Sequence, residues 1–391
     1  MLSQRSTRIK PSPTLVISAL AQTLKSQGKD IVSLSAGEPD FDTPKHIKDA
    51  AIKALHAGFT KYTAVDGIQQ LKKAILNKCL HEYGQEYNLN NVIVSNGAKH
   101  SIYTLLEAII NPGDEVLIPI PYWVSYPDIT QIMDGVPKFI MPSNLETLKI
   151  SPQDLEKAIT KKSKILIINS PNNPSGSNYT KNELRDIADV LLKYPKLMVL
   201  SDDIYEHIYW GKDAYVNLIM VEPKLKDRVF LINGVSKSYA MTGWRIGYCV
   251  GNSVVINAMS NLQSQSTSNP NSIAQYAAVE ALEGSQSERI LMNKEFQKRH
   301  DIIYSLLNQL PKVRVIKSDG AFYSFPDFSE VIKSKSIDND ITLASRLLSE
   351  AGVAIVPGSA FGMANHLRFS FATSEEVIID AITRIKNFIC N

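Results

Sequence analysis

The sequence predicts an α/β protein: a large domain with a mostly parallel, seven-stranded sheet sandwiched by helices, plus a smaller α+β domain built from both chain ends. Two observations carry the large domain. Seven short apolar, β-branched runs recur along the chain, and amphipathic helical patterns lie between them. Buried strands alternating with helices imply a parallel sheet covered on both faces. A third observation carries the small domain. After the last of those runs the pattern changes to a long charged helix, a strand-like VRVIKSDGAFYSF, another helical stretch and HLRFSF.

In chain order the runs are VIVS at 92–95, EVLIPI at 115–120, KFIM at 138–141, KILIIN at 164–169, LMVLSDD at 197–203, VFLING at 229–234 and IGYCVG at 246–251. Ahead of them, GIQQLKKAILNKCLHEYG places Ile68, Leu71 and Ile75 on one helical face. Three units are expected: an arm with part of the small domain at 1–46, the large domain at 47–288, and the rest of the small domain at 289–391. The polar run QSQSTSNPNS at 263–272 reads as a loop.

Composition narrows the function class. A formal net charge of +3 over 391 residues is too small to suggest nucleic-acid binding. No stretch approaches the roughly 18 apolar residues that span a bilayer. The opening MLSQRSTRIKPSPT lacks the apolar core of a signal peptide and is too short for a transit peptide. Cys79, Cys249 and Cys390 are far apart and odd in number, against a disulfide framework or a metal site. A cytoplasmic protein without membrane or nucleic-acid partners is expected.

In an open α/β sheet, ligands sit at the carboxyl ends of the strands. Asn173 follows KILIIN, Asp202 ends its own run, Lys237 follows VFLING, and Gly97 follows VIVSN. Each has an ordinary explanation: lysines are mostly solvated, acids cap helices, and glycine is common in turns. Together they suggest chemistry. A lysine near anion-binding groups is suited to imine formation. Ser236 and Arg245 are both able to reach an anion, and the Gly97–Ala98–Lys99 turn offers backbone N–H groups at a helix start. Asp202 would keep a pyridine nitrogen protonated, with the Tyr205 phenol available to a ring oxygen. Trp123 in PYWVSYP is either a core aromatic or a stacking surface. Arg368, inside the apolar HLRFSF, requires a carboxylate, either structural or from a substrate.

The motifs KPSPT at 10–14, SAGEPDFDTP at 35–44, KYTAVDG at 61–67, PYWVSYP at 121–127, NSPNNPSG at 169–176, SDDIYE at 201–206, SKSYAMTGWRIGY at 236–248, then GAFY, VPGSAFG and LRFSFATS, span nearly the whole chain. In that order they resemble class I pyridoxal 5'-phosphate aminotransferases of fold type I, in the bacterial aspartate aminotransferase subgroup that includes aspartate/prephenate aminotransferases. The resemblance implies that Lys237 carries the cofactor as an imine and acts as base. Asp202 would pair with the ring nitrogen, Tyr205 and Asn173 would bind the ring oxygen, and Trp123 would stack on the ring. Ser236, Arg245, Ala98, Lys99 and Tyr62 from a partner subunit would hold the phosphate, which implies a homodimer with shared active sites. Arg368 would grip the substrate carboxylate, assisted by Asn173, Trp123 and Gly37.

For the substrate, the resemblance implies aspartate and 2-oxoglutarate by a ping-pong route, with prephenate as a further acceptor. Lys99 would take the distal carboxylate, since QSQSTSNPNS lacks the arginine another subgroup uses there. Lys10, with Ser35 nearby, stands where the family places a lysine linked to prephenate; it reads equally well as a solvated arm residue. Aromatic or alanine aminotransferases on the same scaffold are the alternatives, as is a non-catalytic regulatory module.

Overall fold

All seven predicted runs become neighbours in one sheet. Its strands are β1 (Val92–Ser95), β2 (Glu115–Pro119), β3 (Val136–Ile140), β4 (Ser163–Asn169), β5 (Met198–Asp202), β6 (Val229–Gly234) and β7 (Gly247–Val250), in the spatial order β1-β7-β6-β5-β4-β2-β3. The pairs among β3, β2, β4, β5 and β6 are parallel, whereas β7 runs antiparallel to both β6 and β1. The structure is a computed structural model describing residues 2–9, 11 and 13–391. Lys10 therefore lies outside the described residues.

Apart from the edge strand β3, where Val136 and Phe139 are exposed, the strands are apolar on both sides because both sides are covered. Val94, Leu117, Leu166, Val199 and Leu231 face one helical layer, which includes Leu71 and Ile75 of the helix Gln69–Tyr83. Their neighbours Ile93, Ile118, Ile167, Leu200 and Ile232 face the other, which includes Ile102 and Leu105 of the helix Ala98–Ile109. Side chains alternate across a strand, so two buried faces give an unbroken apolar run.

A second, smaller sheet joins β8 (Tyr323–Ser324), β9 (Val356–Pro357) and β10 (Leu367–Ser370) in the antiparallel order β9-β10-β8. Val32–Ser33 pairs in parallel with Val353–Ala354, tying the start of the chain to its last third. Leu34, Phe296, Phe322, Phe369 and Ile378 pack into one core there, and Ile204 and Tyr205 reach into it from the end of β5. The expected boundary at 288/289 falls in the first turn of the helix Ser287–Asn308.

The structure shortens the loop expected at 263–272. The helix Ser253–Ser264 continues through Gln263 and the next begins at Ser272. Gln263 is fully buried, and its amide donates to the Val94 carbonyl at 2.9 Å and the Val65 carbonyl at 2.6 Å. A polar side chain that looks like loop composition is a core amide whose NH2 is paired with backbone carbonyls. Likewise β3 starts at Val136, earlier than the run at 138–141, because Glu115 of β2 supplies a partner there. Among the described residues no helix is long and apolar enough to cross a membrane.

Candidate active site

The carboxyl ends of β4, β5 and β6 and the start of the helix after β1 open onto one cavity of about 500 Å³. Its lining includes Gly37, Ala98, Lys99, Trp123, Asn173, Asp202, Tyr205, Ser236, Lys237, Arg245 and Arg368. Residues from the arm and the small sheet therefore meet residues from the large sheet in one place. Tyr62 does not line this cavity; its side chain is 92% exposed.

Lys237 lies just beyond β6, and its ammonium donates to the Gly37 carbonyl at 2.6 Å. Loss of water around it lowers its pKa to about 8. Glu38 and Asp202 favour the charged form, while Arg368 and Arg245 oppose it. A lysine in that range sheds its proton readily near neutral pH, as a nucleophile or base must.

Asp202, the last residue of β5, is buried and accepts a hydrogen bond from the Tyr126 hydroxyl at 2.6 Å. Burial pushes its pKa up to about 6, against the lowering effects of Tyr126, the Ile204 N–H and Lys237. No ion pair to Asp202 is found among the described residues. Its carboxylate is held in place yet lacks a cation, which an occupant of the cavity would supply.

At one end of the cavity, Arg245 adopts a left-handed backbone with φ 57° and lays its guanidinium against Gly97. It donates to the Thr242 carbonyl at 2.9 Å. Gly97, at φ 87°, precedes the helix Ala98–Ile109. The helix start directs unpaired N–H groups and the positive end of its dipole to the same spot as Arg245, which suits an anion. Strand β7 presses close behind: a Cβ on Gly247 would come within 2.1 Å of the Ala98 nitrogen. Lys99 stands above the Trp123 ring at 4.9 Å, and burial, then Arg245, lowers its pKa.

At the other end, buried Arg368 donates to the Asn173 side-chain oxygen at 3.1 Å and to the Ser35 carbonyl at 2.8 Å. Its Nε is buried without a hydrogen-bond partner. Asn173 is fixed in turn, its N–H donating to the Asn169 side chain at 2.8 Å. Ser35 is braced from the side, its hydroxyl 3.0 Å from those of both Ser18 and Ser33.

Sequence reading missed three supporting residues. Tyr126 and Tyr323 lie within the quoted motifs PYWVSYP and GAFY, but their contacts, Asp202 for one and Tyr205 for the other, join distant segments. Asn169 ends β4 and opens the quoted motif NSPNNPSG, but its bond to the Asn173 N–H was not legible there. Glu82, Glu206 and His207 also gather within 4.8 Å of one another. Lys78 already occupies the cation position there, 2.6 Å from Glu82 and 2.7 Å from Glu206.

Comparisons with known proteins agree on one family. Residues 29–385 match the family described as aminotransferase class I and II. A relative in Nitrosomonas europaea, named aspartate/prephenate aminotransferase, is 50% identical, covering 99% of both chains. One in Bacillus sp., named aspartate aminotransferase, is 46% identical over 100% of this chain and 99% of its own. The structure of aspartate aminotransferase from Rhizobium meliloti superposes with a TM-score of 0.96 at 42% identity, covering 100% of this chain and 99% of that one. The Thermus thermophilus aspartate aminotransferase structure with maleate gives 0.94 at 38% identity, covering 99% of each.

Proposed function

The chain belongs to the aminotransferase class I and II family, and we propose that it uses pyridoxal 5'-phosphate to move the amino group between L-aspartate and 2-oxoglutarate. One observation carries the proposal: Arg245 and Arg368, neither with an ion-pair partner among the described residues, face the same cavity as Lys237. That arrangement calls for an occupant with an anion at each end and a carbonyl or amine between them.

The residues fit the cofactor. The helix start with Arg245 and Ser236 suits its phosphate, and the Trp123 ring offers a flat face. Asp202 suits a cationic ring nitrogen, which would relieve a buried carboxylate lacking a cation. Tyr205 and Asn173 are within the same cavity for the ring oxygen. When bound, the cofactor supplies an electron sink for the electrons left at the substrate α-carbon. Lys237 Nζ takes the α-proton and returns it on the other side of the transfer, acting as base and then acid. Arg368 and Asn173 orient the substrate α-carboxylate, and Lys99 is placed for a second, distal carboxylate. The helix Pro13–Ser26 brings Thr14, Leu15 and Ser18 to the cavity wall, where they would shield a bound substrate from water.

Prephenate as a further acceptor rests on the names of relatives and on Lys10. The assembly we propose is a homodimer in which Tyr62 reaches the partner's phosphate site. Its exposure, with Ile52, Leu55 and Phe59 also exposed nearby, supports a face that another copy covers. The division at 1–46, 47–288 and 289–391 belongs to the same proposal, as does a cytoplasmic setting, which three free thiols suit.

The test is borohydride reduction of the protein loaded with pyridoxal phosphate, followed by peptide mass mapping and assay with aspartate and 2-oxoglutarate. The cofactor is expected on Lys237, and Lys237→Ala should lose turnover by at least about a thousandfold. A label at another residue, or a Lys237→Ala protein with near-normal rate, overturns the assignment.

A further inference from the structure

Tyr323 connects two groups that the proposed reaction uses separately. It sits on β8 opposite Ser370 of β10 and is buried. Its hydroxyl lies 3.0 Å from the Tyr205 hydroxyl. Its ring lies 4.5 Å from the Arg368 guanidinium, which the Phe361 ring also contacts at 4.9 Å. A Cβ on Gly37 would come within 3.2 Å of the same hydroxyl, and the Gly37 carbonyl receives the Lys237 hydrogen bond.

We propose that Tyr323 is a positioning residue: its hydroxyl donates to the Tyr205 oxygen, and its ring holds the Arg368 guanidinium facing the substrate carboxylate. This deepens the pyridoxal phosphate assignment and rests on it. Each phenol has one proton to give, and burial keeps both protonated. If Tyr205 donates toward the cofactor's ring oxygen, the hydrogen bond between the two phenols must be donated by Tyr323. A phenol whose oxygen accepts from behind is a stronger donor in front. Tyr323 therefore strengthens the donor that faces the ring oxygen, without touching the cofactor.

The two contributions separate by substitution. Tyr323→Phe removes only the hydroxyl, whereas Tyr323→Leu also removes the ring from Arg368. A donor to the ring oxygen favours its anionic form and lowers the pH at which the proton it shares is lost; a weaker donor raises that pH. The experiment loads wild type and both variants with pyridoxal phosphate and titrates the visible absorbance of the bound cofactor with pH. It also measures the cofactor dissociation constant and KM for aspartate.

In Tyr323→Phe the absorbance midpoint should rise by about half a pH unit and the dissociation constant two- to threefold, with KM held within roughly twofold. In Tyr323→Leu the midpoint should rise similarly, while KM grows about three- to tenfold as the cation–π support is lost. A purely structural role would lower stability and raise KM in both variants but leave the midpoint where it was. Should Tyr323→Leu fail to fold, Tyr323→Phe alone decides. A midpoint unmoved in Tyr323→Phe, with wild type loading normally, overturns the role of Tyr323 and leaves the functional assignment standing. Wild type that takes up no pyridoxal phosphate overturns that assignment and this inference with it.

Discussion

Substituting Gly97 with alanine should separate anion binding from stability. The new Cβ would come within 2.5 Å of an Arg245 terminal nitrogen, 2.9 Å of its guanidinium carbon and 3.3 Å of the other terminal nitrogen. These atoms end a flexible side chain, so the guanidinium is displaced by roughly 1 Å while the fold survives. The backbone adds strain, because φ 87° with ψ 159° is a region that only glycine occupies readily; the cost is about 1–3 kcal/mol. The larger effect falls on the anion. A charge-assisted hydrogen bond contributes about 1.5–3 kcal/mol, so losing one from Arg245 should weaken pyridoxal phosphate about 10- to 150-fold. The assay is fluorescence titration of apo protein, with thermal unfolding alongside. Gly113 provides the control: at φ 85°, with nothing within 4 Å of a new Cβ, Gly113→Ala incurs backbone strain without displacing a ligand group. Gly97→Ala protein that binds the cofactor as tightly as Gly113→Ala would refute the placement of the phosphate at this helix start.

Removing the carboxylate of Asp202 should reveal its cost in the apo protein. Its folded pKa of about 6 exceeds the ordinary carboxyl value of 3.8, so its contribution is fully present below about pH 3.8 and is lost as pH rises through 6. Relative to wild type, apo Asp202→Asn should therefore be more stable at pH 7.5 than at pH 4, by up to about 3 kcal/mol, while losing activity. A stability difference that does not change with pH contradicts the burial argument. Lys99→Ala should lower kcat/KM for aspartate about 10- to 100-fold and spare phenylalanine and alanine, because only a dicarboxylate uses the second cation. Equal losses on all three substrates would mean that Lys99 does not read the distal group.

The strands were legible because burial on both faces writes itself as continuous apolar runs. Their spatial order was not, since nothing local tells β7 to insert between β1 and β6. The site divided the same way. Lys237, Asp202 and Arg368 stood out as charged or polar groups among apolar neighbours, and the cavity holds all three. Gln263 misled for the converse reason: its role comes from carbonyls of Val65 and Val94, far away in sequence. Tyr126 was invisible as the partner of Asp202 because an aromatic in a motif does not announce which carboxylate it will meet.

The antiparallel β7 has one further consequence. Because β6 and β7 are direct neighbours, paired at Gly234 and Gly247, the segment between them returns without a crossover helix and carries both Lys237 and Arg245. The spacing between amine and guanidinium is thereby set by one short tether clamped at both ends. Natural variation should leave that tether constant in length, since adding or deleting a residue would pull the two groups out of step. New substrate preferences would instead arise from the arm and the helix after β1, whose residues can be exchanged without altering that spacing.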